Sequence, residues 1–156
     1  MNPLLQSALL SMLPFTELRL SIPLAILSGE NPLYVFLACT FANILVIPFI
    51  FIFLNFIHSR LINIKIYSRI FDVLSRSIRP KSEIMKEKIE IIGLPALTLF
   101  VAMPLPMTGA YTGAIIAWLI NLDYKKSFIA LSIGVFIAGV IVTALSTGII
   151  NTFSSF

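Results

Sequence analysis

Long apolar stretches alternate with short polar segments along the chain, and two of these stretches are uninterrupted. Residues 33–57 are apolar and carry no charge, and residues 128–149 repeat this pattern in the second half. Each is long enough for one tilted helix across a hydrocarbon core of about 30 Å. The pattern therefore predicts two transmembrane helices, one in each half of the chain.

The first apolar stretch, residues 3–28, is interrupted near its middle. Pro14 and Pro23 each lack a backbone donor, and Glu17 and Arg19 lie between them. Irregular backbone occurs at membrane depth only where it is buried in protein or lines water. We therefore predict two short helices that form a re-entrant hairpin, with one kinked spanning helix as the alternative.

Residues 89–122 form an apolar stretch that is too long and too interrupted to be a single span. We predict a second hairpin with its break near residues 103–113. The residues expected to break the two hairpins are Pro14, Pro23, Pro104, Pro106, Gly109 and Gly113. Thr108, Tyr111 and Thr112 place hydroxyl groups near the tip of the second one.

Most of the positive charge lies between the two halves. Eight of the eleven Lys and Arg residues fall within residues 60–88, where apolar residues recur at helical spacing. Basic loops stay on the cytoplasmic side of a membrane, and an amphipathic helix can lie in its interface. We predict that residues 58–90 form a basic, cytoplasmic, amphipathic helical segment.

Composition places the whole chain in the membrane class. Its 156 residues are 58% hydrophobic and 12% charged, whereas a soluble domain is about a quarter charged. We expect a multi-pass protein of a prokaryotic cytoplasmic membrane, with the lipid bilayer as a partner and no nucleic-acid role. Cys39 and His58 are each alone of their type, which argues against a disulfide and a metal site. Without a catalytic motif, we expect neither an enzyme nor a cofactor.

A shift of 92 residues relates the two halves. It superposes Leu13-Pro14-Phe15-Thr16 on Leu105-Pro106-Met107-Thr108. Further identities in the same register are Ala25 with Ala117, Leu27 with Leu119, Phe36 with Phe128 and Ala38 with Ala130. If the basic segment and Lys125-Lys126 are both cytoplasmic, the halves have opposite orientations and both termini lie outside.

The predicted fold is thus an all-α integral membrane protein with two inverted repeats in a single membrane domain, residues 1–156. Each repeat is a re-entrant helical hairpin followed by a transmembrane helix. Repeat 1 covers residues 3–57 and repeat 2 covers residues 91–150. Many secondary transporters are built in this way, with broken helices that meet near the bilayer midplane around the substrate.

Glu17 and Arg19 are the main candidates for chemistry. A charge at bilayer depth costs roughly 2.5–3.5 kcal/mol, so such residues usually face a cavity, a partner or a pathway. We expect Glu17 to take up and release a proton, while Arg19 neutralises it or binds an anionic group. A permanent salt bridge is the structural alternative. The candidate substrate-binding residues are Arg19, Thr16, Thr108, Tyr111, Thr112 and Asn43, of which Asn43 alternatively bonds to a neighbouring helix.

The two interrupted motifs resemble those of the small multidrug export protein family. Pro14-Phe15-Thr16-Glu17-Leu18-Arg19, followed by Pro23, is similar to the first motif of that family. The segment from Pro104 to Ala114 is similar to its second motif, and the resemblance covers essentially the whole chain. The resemblance implies an exporter of small molecules.

The two-hairpin plan also resembles the DedA superfamily, which implies movement of lipid or lipid phosphate. DedA proteins carry an arginine-rich motif in the second hairpin, whereas this chain has Gly109, Tyr111 and Thr112 there. Phosphate recognition would then depend on Arg19 alone. A DedA-like lipid translocase and a non-transporting membrane assembly factor are therefore the alternatives to a proton-coupled exporter.

Four membrane-embedded elements enclose little volume. We therefore expect a homo-oligomer, formed through the small residues from Gly134 to Gly139, that moves a small-molecule or lipid substrate.

Overall fold

A computed structural model describes residues 3–61, 83–105 and 108–153 of the chain. All the regular secondary structure in this part is α-helical. The helices are α1 (Pro3–Ser11), α2 (Glu17–Leu27), α3 (Pro32–Leu61), α4 (Glu83–Ala102), α5 (Ala110–Leu119) and α6 (Tyr124–Phe153). The predicted all-α fold is confirmed. Residues 62–82, which include most of the predicted amphipathic segment, lie outside the described residues.

The two uninterrupted apolar stretches form the two longest helices. α3 and α6 have 30 residues each, about 45 Å at 1.5 Å per residue, and both are apolar enough to cross a membrane. They pack antiparallel, because Phe36 contacts Phe136 near one end while Phe51 contacts Tyr124 near the other. Large apolar side chains also cover the outer surface, as a lipid-facing protein requires.

Small residues on α6 bring neighbouring helices close inside the chain. A methyl group at Gly139 would lie 2.6 Å from the Thr40 hydroxyl on α3, and one at Gly134 would lie 2.8 Å from the Thr98 carbonyl on α4. The two glycines that bound the predicted oligomer face, Gly134 and Gly139, therefore already pack against helices of the same copy. A homo-oligomer stays a prediction without an assigned surface.

The first interruption of the backbone lies between Ser11 and Glu17. α1 ends at Ser11 and α2 begins at Glu17, so Pro14 lies in the break. Pro23, however, lies inside α2, and its assignment as a break residue is wrong. Proline removes one backbone hydrogen bond, but α2 continues past it because the helix packs against α1, α3 and α6 along its length.

The second interruption lies between Ala102 and Ala110. Pro104 and Gly109 lie within it, while Pro106 is outside the described residues. Gly113 lies inside α5, so its assignment as a break residue is also wrong. A methyl group there would lie 2.6 Å from Leu131 Cδ2 and 2.7 Å from Val101 Cγ2, which shows that Gly113 serves close packing.

The helices on either side of each break pack side by side. Ser7 of α1 and Ser21 of α2 both approach the Cys39 thiol of α3, although they flank Pro14 at equal distances along the sequence. In the second half, Gly113 of α5 packs against Val101 of α4. At both breaks the chain consequently turns back on itself, and exposed apolar side chains such as Phe15 and Leu105 lie in the turns.

Candidate functional site

The carboxylate of Glu17 lies at the start of α5. Glu17 is the first residue of α2, is 9% exposed, and accepts a hydrogen bond from the backbone N–H of Tyr111. Its carboxylate packs directly on Gly109, the residue that precedes α5, where a methyl group would overlap both of its oxygens. The free N–H groups and the dipole of a helix N-terminus stabilise a negative charge. The first half of the chain thus supplies the carboxyl group that lies at the N-terminus of a helix of the second half.

The backbone of Glu17 has an unusual conformation. Its φ is +39°, in the left-handed region that residues with a Cβ rarely adopt. Such a residue is strained by about 1–3 kcal/mol, and persists where the surrounding structure determines it. Here the chain enters α2 at Glu17 itself, and the left-handed backbone conformation of Glu17 directs its side chain across to α5.

The guanidinium of Arg19 also reaches the second break. Its Nη2 donates to the hydroxyl of Thr108 at 2.9 Å, across 89 residues of sequence. That hydroxyl lies 2.7 Å from the Met103 carbonyl and 2.8 Å from the Leu105 carbonyl, so it links Arg19 to the end of α4.

Glu17 and Arg19 do not form a direct ion pair. Within the described residues, the ion pair closer than 4 Å is that of Lys126 with Glu90, at 2.5 Å. The two charged groups of the first break attract each other at longer range while each bonds to a different part of the second break. The structure therefore does not contain the permanent Glu17–Arg19 salt bridge that was the structural alternative.

Three of the predicted substrate-binding residues hold the end of α1. Their side chains donate to backbone carbonyls in the last turn of α1 and just after it, where the helix no longer supplies all of its own donors. Thr16 donates to Leu10, Asn43 donates to Ser11 at 2.9 Å, and the Tyr111 hydroxyl donates to Met12. Their observed contacts position the break. Thr112 is half-buried on α5 and lines none of the cavities next to the site.

A cavity of about 10 Å³ lies between the two breaks. Glu17, Arg19 and Asn43 are its polar lining residues, and the remaining wall is apolar apart from Gly109. This volume is near the lower limit for one water molecule. The Oδ1 atom of Asn43 is buried and has no donor within the part of the chain described here. The cavity therefore combines a carboxylate with a second buried acceptor.

Two larger grooves flank this small cavity. The Arg19 groove, about 330 Å³, lies between α2 and the C-terminal half of α6. The Tyr111 groove, about 480 Å³, lies beside the C-terminal half of α3. Arg19 borders both the small cavity and its groove, so the charged site lies next to a space that a small molecule could enter.

The position of Gly109 shows what the sequence signal missed. Proline and glycine patterns identify Gly109 as a break residue, but they do not show that the Glu17 carboxylate packs on it. One sequence signal is that Gly109 follows Glu17 by 92 residues, the shift that superposes Leu13-Pro14 on Leu105-Pro106.

The family described as "Putative small multi-drug export protein" matches residues 17–141. The chain belongs to this family. The matched range begins at Glu17 and includes both charged residues, the second break and most of α6. Neither the curated proteins nor the solved structures give a match, and the resemblance to DedA proteins stays a prediction.

Membership of this export family and the two long apolar helices together locate the protein in a membrane. No three His, Cys, Asp or Glu side chains come together as a possible metal site within the described residues. The chemistry available at the site is therefore that of one buried carboxylate, one guanidinium and several hydroxyl and amide groups.

Proposed function

We propose that this member of the small multidrug export family is a proton-coupled exporter in which Glu17 carries the proton. The observation that supports this most is the buried Glu17 carboxylate, held between α2 and the start of α5. In general, burial favours the neutral form of a carboxylic acid, and a helix N-terminus favours the charged form. A small shift of α5 relative to α2 would change the relative stability of the neutral and the charged forms of Glu17. Glu17 would then take up or release a proton.

Helix lengths support re-entrant hairpins. α1, α2 and α5 have 9, 11 and 10 residues. At 1.5 Å per residue these helices measure about 14–17 Å, or roughly half of a 30 Å hydrocarbon core. Because their breaks lie beside the interior of the two long helices, each short helix would end inside the bilayer.

Helix boundaries support the inverted repeat. α6 begins and ends 92 residues after α3, in the register in which the sequence superposes the two halves. α3 and α6 pack antiparallel, and Glu17 meets its equivalent Gly109. Two halves of opposite orientation around a central site are the plan by which many transporters expose that site to each side in turn.

Contacts at one end of the molecule support the proposed topology. Trp118 at the end of α5 donates to Asn55 of α3 at 2.7 Å, and Lys126 pairs with Glu90. The boundaries of the basic segment and Lys125-Lys126 thus lie at the same end. This end would be cytoplasmic by the positive-inside rule.

A non-transporting assembly role would be favoured by a charged pair sealed from any cavity. Instead, Glu17 and Arg19 both line the small cavity, and Arg19 also borders a groove of about 330 Å³. This arrangement favours transport over assembly.

To test the proposal, the protein would be reconstituted in proteoliposomes with a pH-sensitive dye inside. Ethidium and fluorescein serve as cationic and anionic drug probes, together with a neutral dye. We expect an imposed pH gradient to drive at least one probe in the wild type, and Glu17→Gln to abolish the coupled proton movement. Glu30→Gln, in the turn before α3, is the matched control. Unchanged coupling in a folded Glu17→Gln protein would show that Glu17 is not the proton carrier.

A further inference from the structure

The Arg19 groove and the Tyr111 groove occupy equivalent positions in the two halves. Arg19 and Tyr111 are 92 residues apart, which is the shift that relates the repeats. On the long helices, Val142 and Leu145 of the Arg19 groove are equivalent to Ile50 and Phe53 of the Tyr111 groove. The two halves therefore contain grooves of the same kind, each between a short helix and the C-terminal half of a long one.

The two grooves lie toward opposite ends of the molecule. Each lies along the C-terminal half of its long helix, and α3 and α6 are antiparallel. The Glu17 site lies between them, because Arg19 borders the small cavity and the N–H of Tyr111 bonds to the Glu17 carboxylate. A molecule passing from one groove to the other would therefore pass Glu17.

The chemistry of the Arg19 groove selects for a negative charge. Apart from Arg19, its lining is apolar except for Ser146, whose hydroxyl donates to the Val142 carbonyl at 2.7 Å. A guanidinium has five N–H donors, and one hydrogen bond, to Thr108, joins Arg19 to the residues described here. At bilayer depth the remaining donors need an acceptor. A carboxylate or phosphate would match them in charge and geometry.

The shape of the grooves indicates a single apolar chain. Along α6 the Arg19 groove runs from Val142 to Ile150, about 12 Å at 1.5 Å per residue, and one helix forms each side. Its volume of about 330 Å³ is at the low end for ligand pockets. The Tyr111 groove is lined by Phe49, Phe53 and Phe56 and carries no charged residue. Both linings therefore suit an apolar body, and one of them suits an acid group as well.

We propose that the two grooves are the two ends of one path for a single-chain amphipathic anion. Its acid group binds Arg19, and its apolar chain lies first against the aromatic side chains of α3 and then between α2 and α6. This inference rests on the proposed export function, for which it supplies the class of substrate.

Binding provides the first test. A dansyl-labelled undecanoic acid would be titrated into the purified protein, with a dansyl-labelled alkyl trimethylammonium of equal chain length as the matched probe. We expect the acid to bind at least tenfold more tightly than the cation, and Arg19→Gln to remove this preference. Arg19→Lys, which keeps the charge, should retain part of it, while Lys125→Gln at the start of α6 should retain all of it.

Three results would overturn the proposal. The first is equal binding of the acid and the cation by the wild type. The second is an unchanged preference in both Arg19 variants. The third is displacement of the acid probe by a two-chain anionic lipid at lower concentration than by undecanoic acid, because this would replace the single-chain occupant with a membrane lipid.

The path itself is tested with one cysteine in each groove. Phe53→Cys and Leu145→Cys are at equivalent positions, where the native side chains are 61% and 57% exposed. In proteoliposomes, a membrane-impermeant maleimide should label the two cysteines from opposite sides, and the acid probe should protect both. Cys39 is fully buried and serves as the unlabelled internal control. Labelling of both positions from the same side would overturn the path.

These outcomes are separate from those for the export function. Tight binding of the acid probe without proton-coupled flux would refute the exporter and leave the anion site. Proton-coupled movement of ethidium without binding of the acid would support the exporter and refute the anion site.

Discussion

Gly109 is the position at which the two breaks are most sensitive to a single methyl group. Replacement by alanine places a Cβ where both oxygens of the Glu17 carboxylate now lie. Carbon and oxygen atoms at such a contact need more than 3 Å, so the carboxylate must move by roughly 1–2 Å. It then leaves the N–H of Tyr111 and the end of α5.

The size of the effect follows from the contacts that are lost. A hydrogen bond to a buried charged group contributes about 1.5–3 kcal/mol, so we expect Gly109→Ala to lower the free energy of unfolding by that amount. A displacement of about 1 Å at a reacting group can reduce activity by about 100-fold. We therefore expect proton-coupled flux to fall by about two orders of magnitude in a protein that still folds.

The assay compares two glycines. Gly148 on α6 has nothing within 4 Å of an added Cβ, so Gly148→Ala should leave flux unchanged and raise stability slightly, by up to about 1 kcal/mol. Thermal unfolding in detergent and flux in proteoliposomes would be measured for both variants. Glu17→Asp, combined with Gly109→Ala, shortens the acid and should recover part of the lost stability. Equal flux and equal stability of the two alanine variants would refute the reasoning.

Two further predictions concern the ends of helices. Asn43→Leu removes the donor to the Ser11 carbonyl at the end of α1, so we expect a loss of about 0.5–2 kcal/mol in thermal unfolding, and a gain in stability would contradict this. Asp123 precedes the candidate membrane span of α6 and accepts the backbone N–H of Lys126 at 2.9 Å, a bond that lowers the pKa of Asp123. Because a lowered pKa stabilises the fold above the ordinary pKa of aspartate, Asp123→Ala should lower the melting temperature at pH 7. The difference should hold above about pH 4 and shrink as the pH falls further, through the lowered pKa of Asp123; a difference that does not shrink with falling pH would point to another cause.

Much of the architecture could be predicted because it depends on residues that are neighbours in the sequence. Uninterrupted apolar residues specify α3 and α6, since a bilayer leaves a long apolar segment no other stable structure. Pro14 and Pro104 lie in the observed breaks because proline removes a backbone donor. The same rule failed at Pro23, where packing on three neighbouring helices keeps α2 intact. The local rule gives the tendency, and the surrounding helices determine whether it is realised.

The glycines show the same limit. Gly109, Gly113, Gly134 and Gly139 all look alike in sequence, as small residues that interrupt a helix or allow close contact. In the structure they have different neighbours: a carboxylate, two aliphatic side chains, a backbone carbonyl and a threonine hydroxyl. Those neighbours are set by how the helices cross, which no local pattern contains.

By itself, the sequence determined that this is a helical membrane protein with two interrupted apolar segments and with an acid and a base beside the first interruption. These properties follow from hydropathy and from proline chemistry, which act over a few neighbouring residues. Only the tertiary structure decided that Glu17 and Arg19 do not pair with each other. Each instead bonds to the second break, about 90 residues away along the chain, because the packing of the two halves places the start of α5 and the Thr108 hydroxyl closer to these groups than they are to each other.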